Sequence, residues 1–247
     1  MNKSYEQLPE AMITGENSLR FSFGSRVEKD TYYKVRKFCK IAEQHSGHYF
    51  QEIVPSFHTV TVYFKKELTE PNEMIERLLT KWINSKEEES ERMERKLRIP
   101  VCYDDTFSLD MDRVTSHTGL TREEVISLHA GHTYTVYMIG FLPGFPYLGK
   151  LHERLETPRL PTPREKVSRG TVGIGGSQTG IYSLDCPGGW NIIGKTPFEL
   201  YVPERKEPFF FQAGDQLEFQ PVTLGEFHEI SKELASDPEE IKRFIAD

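Results

Sequence analysis

The sequence predicts two differently built parts: a small α+β unit of ferredoxin-like layout over residues 1–95, and a mainly-β barrel or sandwich over residues 96–247. Three observations carry this reading. From about residue 18 to 85, strand-like alternation interleaves with helical stripes. Beyond Ile139 the helical signal fades until about Thr223, and short β-like runs are separated by Gly and Pro. Between the two textures lies KEEESERMERK, residues 86–96, which reads as a solvated helix end or a linker.

The elements follow in order. Leu19, Phe21 and Phe23 alternate with polar residues, as on a half-buried strand. Tyr32, Val35, Phe38, Cys39 and Ala42 stand at helical spacing over residues 28–45. Residues 49–54 and 59–64 read as strands split by Pro55-Ser56, with Val60, Val62 and Phe64 on one face. Pro71 suits the first turn of a second helix, whose apolar stripe runs from Met74 through Leu78 to Trp82. Strand, helix, strand, strand, helix is the order of a ferredoxin-like unit. Strand signal resumes over 97–103. Thr121-Arg122-Glu123-Glu124 has the capping-box pattern and opens a helix ending near Gly131, before a strand over 133–139. Short runs at 171–174, 180–184, 190–193, 198–202, 208–211 and 217–220 complete the β-rich part. Residues 226–246 read as a polar helical tail. No internal repeat is visible.

Composition excludes several classes. Apolar residues make up 37% and glycines number 18, which suits a globular chain rather than a disordered one. No stretch approaches the roughly 20 apolar residues of a membrane span, and MNKSYEQLPE has no apolar segment of a secretory signal, so no membrane association is expected. Cys39, Cys102 and Cys186 are odd in number and far apart, so neither a disulfide framework nor a metal pair is expected; a cytoplasmic setting fits. A net charge of −7 argues against a nucleic-acid partner.

Some motifs tempt and fail. Gly189-Trp190-Asn191-Ile192-Ile193-Gly194-Lys195-Thr196 matches the phosphate-binding P-loop expression, but that mechanism needs a helix after the loop and small residues within it. Pro197 follows, residues 198–202 look like a strand, and Trp190 is bulky, so a Gly-bounded barrel strand is the better reading. Gly175-Gly176-Ser177-Gln178-Thr179-Gly180 misses the nucleophile-elbow spacing and reads as a tight turn. His45 with His48, and His129 with His132, are close pairs without Cys or clustered acids, and read as surface or capping histidines.

What remains is a set of stiff loops. Residues 141–149, FLPGFPYLG, frame aromatics with two prolines and two glycines. Residues 158–164, PRLPTPR, are too proline-rich for a central strand and present Arg159 and Arg164 from an extended segment. The Gly-rich stretch 170–180 and Pro187-Gly188-Gly189-Trp190 complete the set. Stiff loops lose little entropy on ordering around a ligand, and guanidinium groups suit a carboxylate or phosphate. Barrel corners carrying surface arginines would show the same composition.

FLPGFPYLG, PRLPTPR, GTVGIGGSQTGIY and PGGWNIIGKTP stand in the order and spacing of the KipI/PxpB family (allophanate hydrolase subunit 1-like), which the chain resembles strongly from 132 to 203 and weakly before 95. The resemblance implies a cyclophilin-like barrel for the second part. It implies a B-type subunit of an ATP-dependent 5-oxoprolinase, acting on a small acidic substrate with an allophanate hydrolase subunit 2-like (PxpC-type) partner and a LamB/YcsF-like (PxpA-type) partner. The same family also contains KipI-type inhibitors that bind a sensor histidine kinase. For the enzyme reading, Arg159 and Arg164 are expected to clamp a carboxylate, and Gly144, Gly188 and Gly189 to offer backbone N–H groups. Phe145, Tyr147 and Trp190 are expected to wall the pocket, and Gln178 and Tyr182 to supply hydrogen bonds. The sequence names no general base and does not locate the site of the ATP that the complex consumes. The chain departs from the family at Ser168-Arg169-Gly170, where Pro-Ala-Gly is usual, and at Lys195, where Arg is common. A barrel of this kind would also admit a prolyl isomerase, but fold does not imply function.

Overall fold

A computed structural model describes residues 8–25, 28–44, 49–85 and 95–246. The chain divides into two compact units, residues 1–92 and 93–247. The junction falls inside the charged run, most of which (86–94) lies outside the described residues.

The first unit is one antiparallel sheet covered by two helices. Its elements are β1 (Glu10–Gly15), β2 (Ser18–Ser22), α1 (Lys29–Gln44), β3 (Phe50–Pro55), β4 (Thr59–Phe64) and α2 (Pro71–Asn84). The strand order is β1-β2-β4-β3. Alternation decides which face is buried: Leu19 and Phe21 on β2 and Val60, Val62 and Phe64 on β4 are all within 2% of complete burial. Against them pack Phe38 from α1 and Leu78 and Trp82 from α2; Phe21 and Phe38 have ring centroids 4.5 Å apart. The expected order of strand, helix, strand, strand, helix runs from β2 to α2. The edge beside β2 is taken by β1, which the sequence does not announce. β1 is exposed along almost its whole length, so it carries no period-2 burial signal and owes its place to the hairpin with β2.

The second unit is built around a mixed sheet. It comprises β5 (Lys96–Cys102), α3 (Met111–Thr118), α4 (Arg122–Ala130), β6 (Thr133–Ile139), β7 (Pro146–Leu148), a 3₁₀ turn at Glu153–Leu155, β8 (Arg164–Val167), β9 (Thr171–Gly175), β10 (Gln178–Ile181), β11 (Cys186–Gly188), β12 (Asn191–Lys195), β13 (Gln216–Val222), α5 (Leu224–Ser236), a 3₁₀ segment at Pro238–Phe244, and β14 (Ile245–Ala246). The strands run β10-β9-β12-β5-β13-β6-β7, with β14 also on β5 and β8 paired to β11 separately. A bridge from Lys150, just after β7, to Gln178 on β10 brings the two ends together, so the barrel is nearly closed. β5 and β13 run parallel, Leu97 beside Leu217 and Ile99 beside Phe219. The interior is apolar, with Leu97, Ile99, Val136, Val172, Ile193 and Leu217 all within 1% of full burial.

Several local expectations meet the structure. The capping box opening α4 is formed, Thr121 and Glu124 each bonding the other's backbone amide, and α5 has a second one from Thr223 and Glu226. α3 is new: only Met111 and Val114 are buried on it, and its first turn has no side-chain cap, so it left little pattern to read. Runs 198–202 and 208–211 are not strands; a single bridge, Tyr201 to Phe209, joins them. Pro197, Pro203 and Pro208 supply no N–H for a ladder. The tail is not one helix, because Asp237-Pro238 breaks it into α5 and a 3₁₀ segment. The P-loop look-alike is β12, a strand paired to β9 on one side and β5 on the other. Ser177 lies in the tight turn joining β9 to β10, where Gly176 adopts φ +66°.

Candidate functional site

The four stiff segments meet. Phe145, from the loop before β7, is the hub of an aromatic cluster. Its ring centroid lies 5.2 Å from that of Tyr147, 5.9 Å from Tyr182 and 5.9 Å from Trp190, each near edge-on. Tyr182 follows β10, and Trp190 immediately precedes β12. Three glycines make this packing possible. A Cβ on Gly175 would fall 2.5 Å from Trp190 Nε1, one on Gly180 would fall 3.0 Å from the Trp190 ring, and one on Gly188 would overlap the Tyr182 hydroxyl. The β9–β10 hairpin is Gly-rich because two large rings lie against its backbone.

The proline-rich segment crosses this cluster. Leu160 donates its amide to the Gly189 carbonyl at 2.7 Å. Arg159 is exposed and places its guanidinium carbon 5.7 Å from the Trp190 ring centroid. It makes no ion pair among the described residues. Arg164 is held differently. Its Nη2 donates to Asp110 Oδ1 at 2.7 Å, while Asp110 Oδ2 accepts from the Ile192 amide at 2.6 Å. Asp110 is 7% exposed. Arg164 Nη1 is buried and has no hydrogen-bond partner. The segment's other end is fixed by Asn191, which is fully buried. Its Nδ2 donates to the Pro158 carbonyl and the Ile174 carbonyl, both at 3.0 Å, and its Oδ1 accepts from Arg113 Nε at 2.9 Å. Buried Asp110, just before α3, and buried Asn191 on β12, with Arg113 of α3, thus set the path that carries Arg159.

Burial pushes the Tyr182 phenol above its ordinary value, opposed by the Trp190 backbone amide and the Arg159 and Arg164 guanidinium groups. Burial also raises Tyr147, with Arg159 pulling the other way. Both phenols therefore stand as neutral hydrogen-bonding groups beside a cation. Gln178 is half-buried on β10 and shares the face of Gly180, two residues along. Gly144 adopts φ +74° and lies against Leu200 and Tyr201. A cleft of about 210 Å³ lined by Pro100, Gln220, Glu226, Glu229 and Arg243 shares no residue with this cluster.

Sequence reasoning named the arginines and rings that the structure brings together, and missed what holds them: Asp110, Arg113 and Asn191. Asn191 carried one faint signal, a polar side chain inside an otherwise apolar strand. Asp110 carried none. A second correction concerns His129, expected at the surface or as a cap. It is fully buried and stacks on Phe219 with ring centroids 4.4 Å apart. Its Nδ1 is 2.7 Å from the Tyr103 hydroxyl and its Nε2 is 2.8 Å from Thr179 Oγ1. Thr179 donates onward to the Gly173 carbonyl at 3.0 Å. The threonine proton is thereby committed, so His129 donates from Nε2 and accepts from Tyr103 at Nδ1. Burial holds this imidazole down at about 3. His132 is exposed, and His45 and His48 lie outside the described residues.

Residues 9–211 match the family model described as Carboxyltransferase domain, subdomain C and D. The chain is 33% identical over 228 residues to the B-type subunit of 5-oxoprolinase from Bacillus subtilis (strain 168), covering 89% of this chain and 95% of that one. It is 43% identical over 177 residues to the protein of the same name from Escherichia coli O157:H7, covering 70% and 79%. Its fold superposes on the crystal structure of TTHA0988 with a TM-score of 0.72 at 32% identity. That match covers 83% of this chain and 40% of the other, so the chain spans about two fifths of that polypeptide.

Proposed function

The chain belongs to the Carboxyltransferase domain, subdomain C and D family, and from that premise we propose that it is the B-type subunit of a 5-oxoprolinase complex, the PxpB/KipI kind of member. Support comes from relatives bearing that name, one of which matches nearly end to end. The observation that carries the site assignment is Arg159: an exposed guanidinium without an ion pair among the described residues, over Trp190, where four stiff loops converge.

The reaction is hydrolysis of 5-oxo-L-proline to L-glutamate with ATP consumed by the complex. A lactam is a poor electrophile. Transfer of the γ-phosphoryl group to its amide oxygen releases ADP and activates the ring carbon; water attacks that carbon, the ring C–N bond breaks to leave the free amine and a γ-acyl phosphate, and a second water hydrolyses that acyl phosphate to L-glutamate and phosphate. In this reading Arg159 holds the substrate carboxylate, and Phe145 and Trp190 form an apolar wall that strengthens the charge contact by excluding water. Tyr147, Tyr182 and Gln178 supply hydrogen bonds, and the amides around Gly144, Gly188 and Gly189 face developing charge. Arg164, tied to Asp110, braces the segment and leaves one buried N–H for an acceptor. The ATP site and the general base are assigned to no residue of this chain. The complex further comprises a subunit 2-like (PxpC-type) and a LamB/YcsF-like (PxpA-type) partner, in the cytoplasm. The first unit is a ferredoxin-like variant with β1 in place of the usual fourth strand, and the second is cyclophilin-like; residues 1–95 and 96–247 act as two domains. The kinase-inhibitor reading is set aside because both relatives carry the enzyme-subunit name.

The test is Arg159→Ala in the reconstituted complex. Loss of a carboxylate clamp raises KM for 5-oxoproline and lowers kcat/KM by about 10²-fold or more, with the melting temperature unchanged. Arg159→Lys restores only part of it, because a point charge replaces a bidentate fork. Full kcat/KM in Arg159→Ala refutes the clamp.

A further inference from the structure

Two hydrogen-bond donors of the aromatic cluster lie side by side. Arg164 stands directly across the β8–β11 pair from Gly188, so the two side-chain directions share one face. On that face of Gly188 lies the Tyr182 hydroxyl, close enough that a Cβ there would overlap it. Tyr182 also feels the positive charge of Arg164. The phenol is buried, and its oxygen accepts from the Trp190 amide. Among the described residues no group accepts its proton. Arg164 Nη1 is buried beside it, also without an acceptor among the described residues.

A buried charged N–H without an acceptor is costly, so such a group marks a place where an acceptor is received. Asp110 does not meet that need. Its Oδ1 accepts from Nη2 and its Oδ2 from the Ile192 amide. What Asp110 does is fix the direction of the guanidinium and offset its charge. The two arginines of the site therefore differ. Arg159 is exposed, makes no ion pair among the described residues, and suits a flat carboxylate that is charged before any reaction. Arg164 has given Nη2 to Asp110 and presents Nη1, which the Tyr182 O–H joins from a separate residue. Single donors arriving from two directions suit the several oxygens of a tetrahedral phosphoryl group better than a planar, two-pronged partner.

We propose that Arg164 Nη1 and the Tyr182 hydroxyl receive the phosphoryl oxygens of the activated substrate, with Asp110 as the positioning residue that aims Arg164. This rests on the 5-oxoproline reading of the site and deepens it. The phosphoryl group comes from ATP: its phosphorus bonds to the lactam oxygen as its bond to the departing ADP oxygen breaks. In that transfer negative charge spreads over the three phosphoryl oxygens, and the two donors meet it there. They act on a group that the free substrate does not carry, so they lower the barrier rather than tighten substrate binding. Arg159, by contrast, holds a carboxylate that is present from the start. The two arginines thus govern different constants, Arg159 the KM for 5-oxoproline and Arg164 with Tyr182 the kcat.

The test measures 5-oxoproline hydrolysis by the reconstituted complex carrying the wild-type chain, Tyr182→Phe or Arg164→Lys, with ATP and with ATPγS. Tyr182→Phe deletes only the hydroxyl and leaves the ring in the aromatic cluster. Arg164→Lys keeps a cation for Asp110 and removes Nη1. Each should lower kcat about tenfold or more, with KM for 5-oxoproline within about twofold and the melting temperature unchanged. Sulfur is a poorer acceptor than oxygen, so the ratio of the ATP rate to the ATPγS rate should shrink in both variants, which mere loosening of the loop would not produce. A raised KM with unchanged kcat, wild-type kinetics in Tyr182→Phe, or an unaltered ATP-to-ATPγS ratio overturns the inference and leaves the Arg159 clamp standing. No hydrolysis by the wild-type complex overturns the 5-oxoproline reading itself, and this inference with it.

Discussion

The two units reach stability by different routes. In the first, one face of a sheet is covered by two helices, and the core is almost entirely apolar, from Leu19 and Phe21 to Leu78 and Trp82. In the second, buried polar residues fasten segments far apart in sequence. Asp215, 3% exposed, receives Arg95 Nε at 2.8 Å and Nη2 at 2.5 Å, and also the Gln212 amide at 2.7 Å. Asp110, Asn191 and His129 do the same elsewhere. An apolar core tolerates any partner of the right size, whereas a buried carboxylate tolerates only the donors that satisfy it. The first route gives a scaffold; the second fixes loop paths closely enough to aim a guanidinium.

Three experiments test this contrast. The largest effect is expected from Trp82→Ala, which empties the first unit's core and should cost about 3–5 kcal/mol. Hydrogen exchange should rise across residues 8–85 and hold steady beyond 95; equal loss of protection in both would show that the two units do not stand independently. Next, Asp215→Ala should cost about 2–3 kcal/mol by stranding Arg95, which is 27% exposed and so partly rescued by water. Its signature should be loosening near residues 95 and 210–216 with the first unit unchanged. A cost below about 0.5 kcal/mol would show that apolar packing alone holds the barrel.

The third effect is a pH slope, smaller than either substitution over any one pH unit. His129 titrates near 6.5 when unfolded and at about 3 when folded, because burial penalises its charged form. The unfolded chain therefore binds the proton first. The stability from this site is complete above about pH 6.5 and declines as pH falls towards 3, at roughly 1.4 kcal/mol per pH unit. His129→Gln should flatten that part of the curve. An unchanged slope in the variant would place the acid sensitivity elsewhere.

The same contrast explains what could be read in advance. Alternation at Leu19 and Phe21, and at Val60, Val62 and Phe64, is a local signal, and the first unit's elements follow from it. The rings and arginines of the site were legible because proline and glycine announce stiff turns around them. Their supports were not. Asp110 looks like any loop aspartate until Ile192 and Arg164 come to it, and His129 looks like a surface residue until Tyr103, Thr179 and Phe219 close around it. Pairings across such sequence distances leave no periodicity. β1 was missed for the opposite reason: it is too exposed to show a face.

The arrangement around β5 bears on how the molecule is made. This strand is synthesised first in its unit, yet its neighbours along the sheet are β12, β13 and β14: Leu97 lies beside both Leu217 and Ile245. While the ribosome is still extending the chain, β5 has no such neighbour to settle against, and its apolar side chains Leu97, Ile99 and Val101 stay available to any passing surface. The first unit can be complete long before then. A nascent chain halted shortly after residue 200 would thus carry one finished unit and one sticky, unclosed half-barrel, the form most in need of a chaperone.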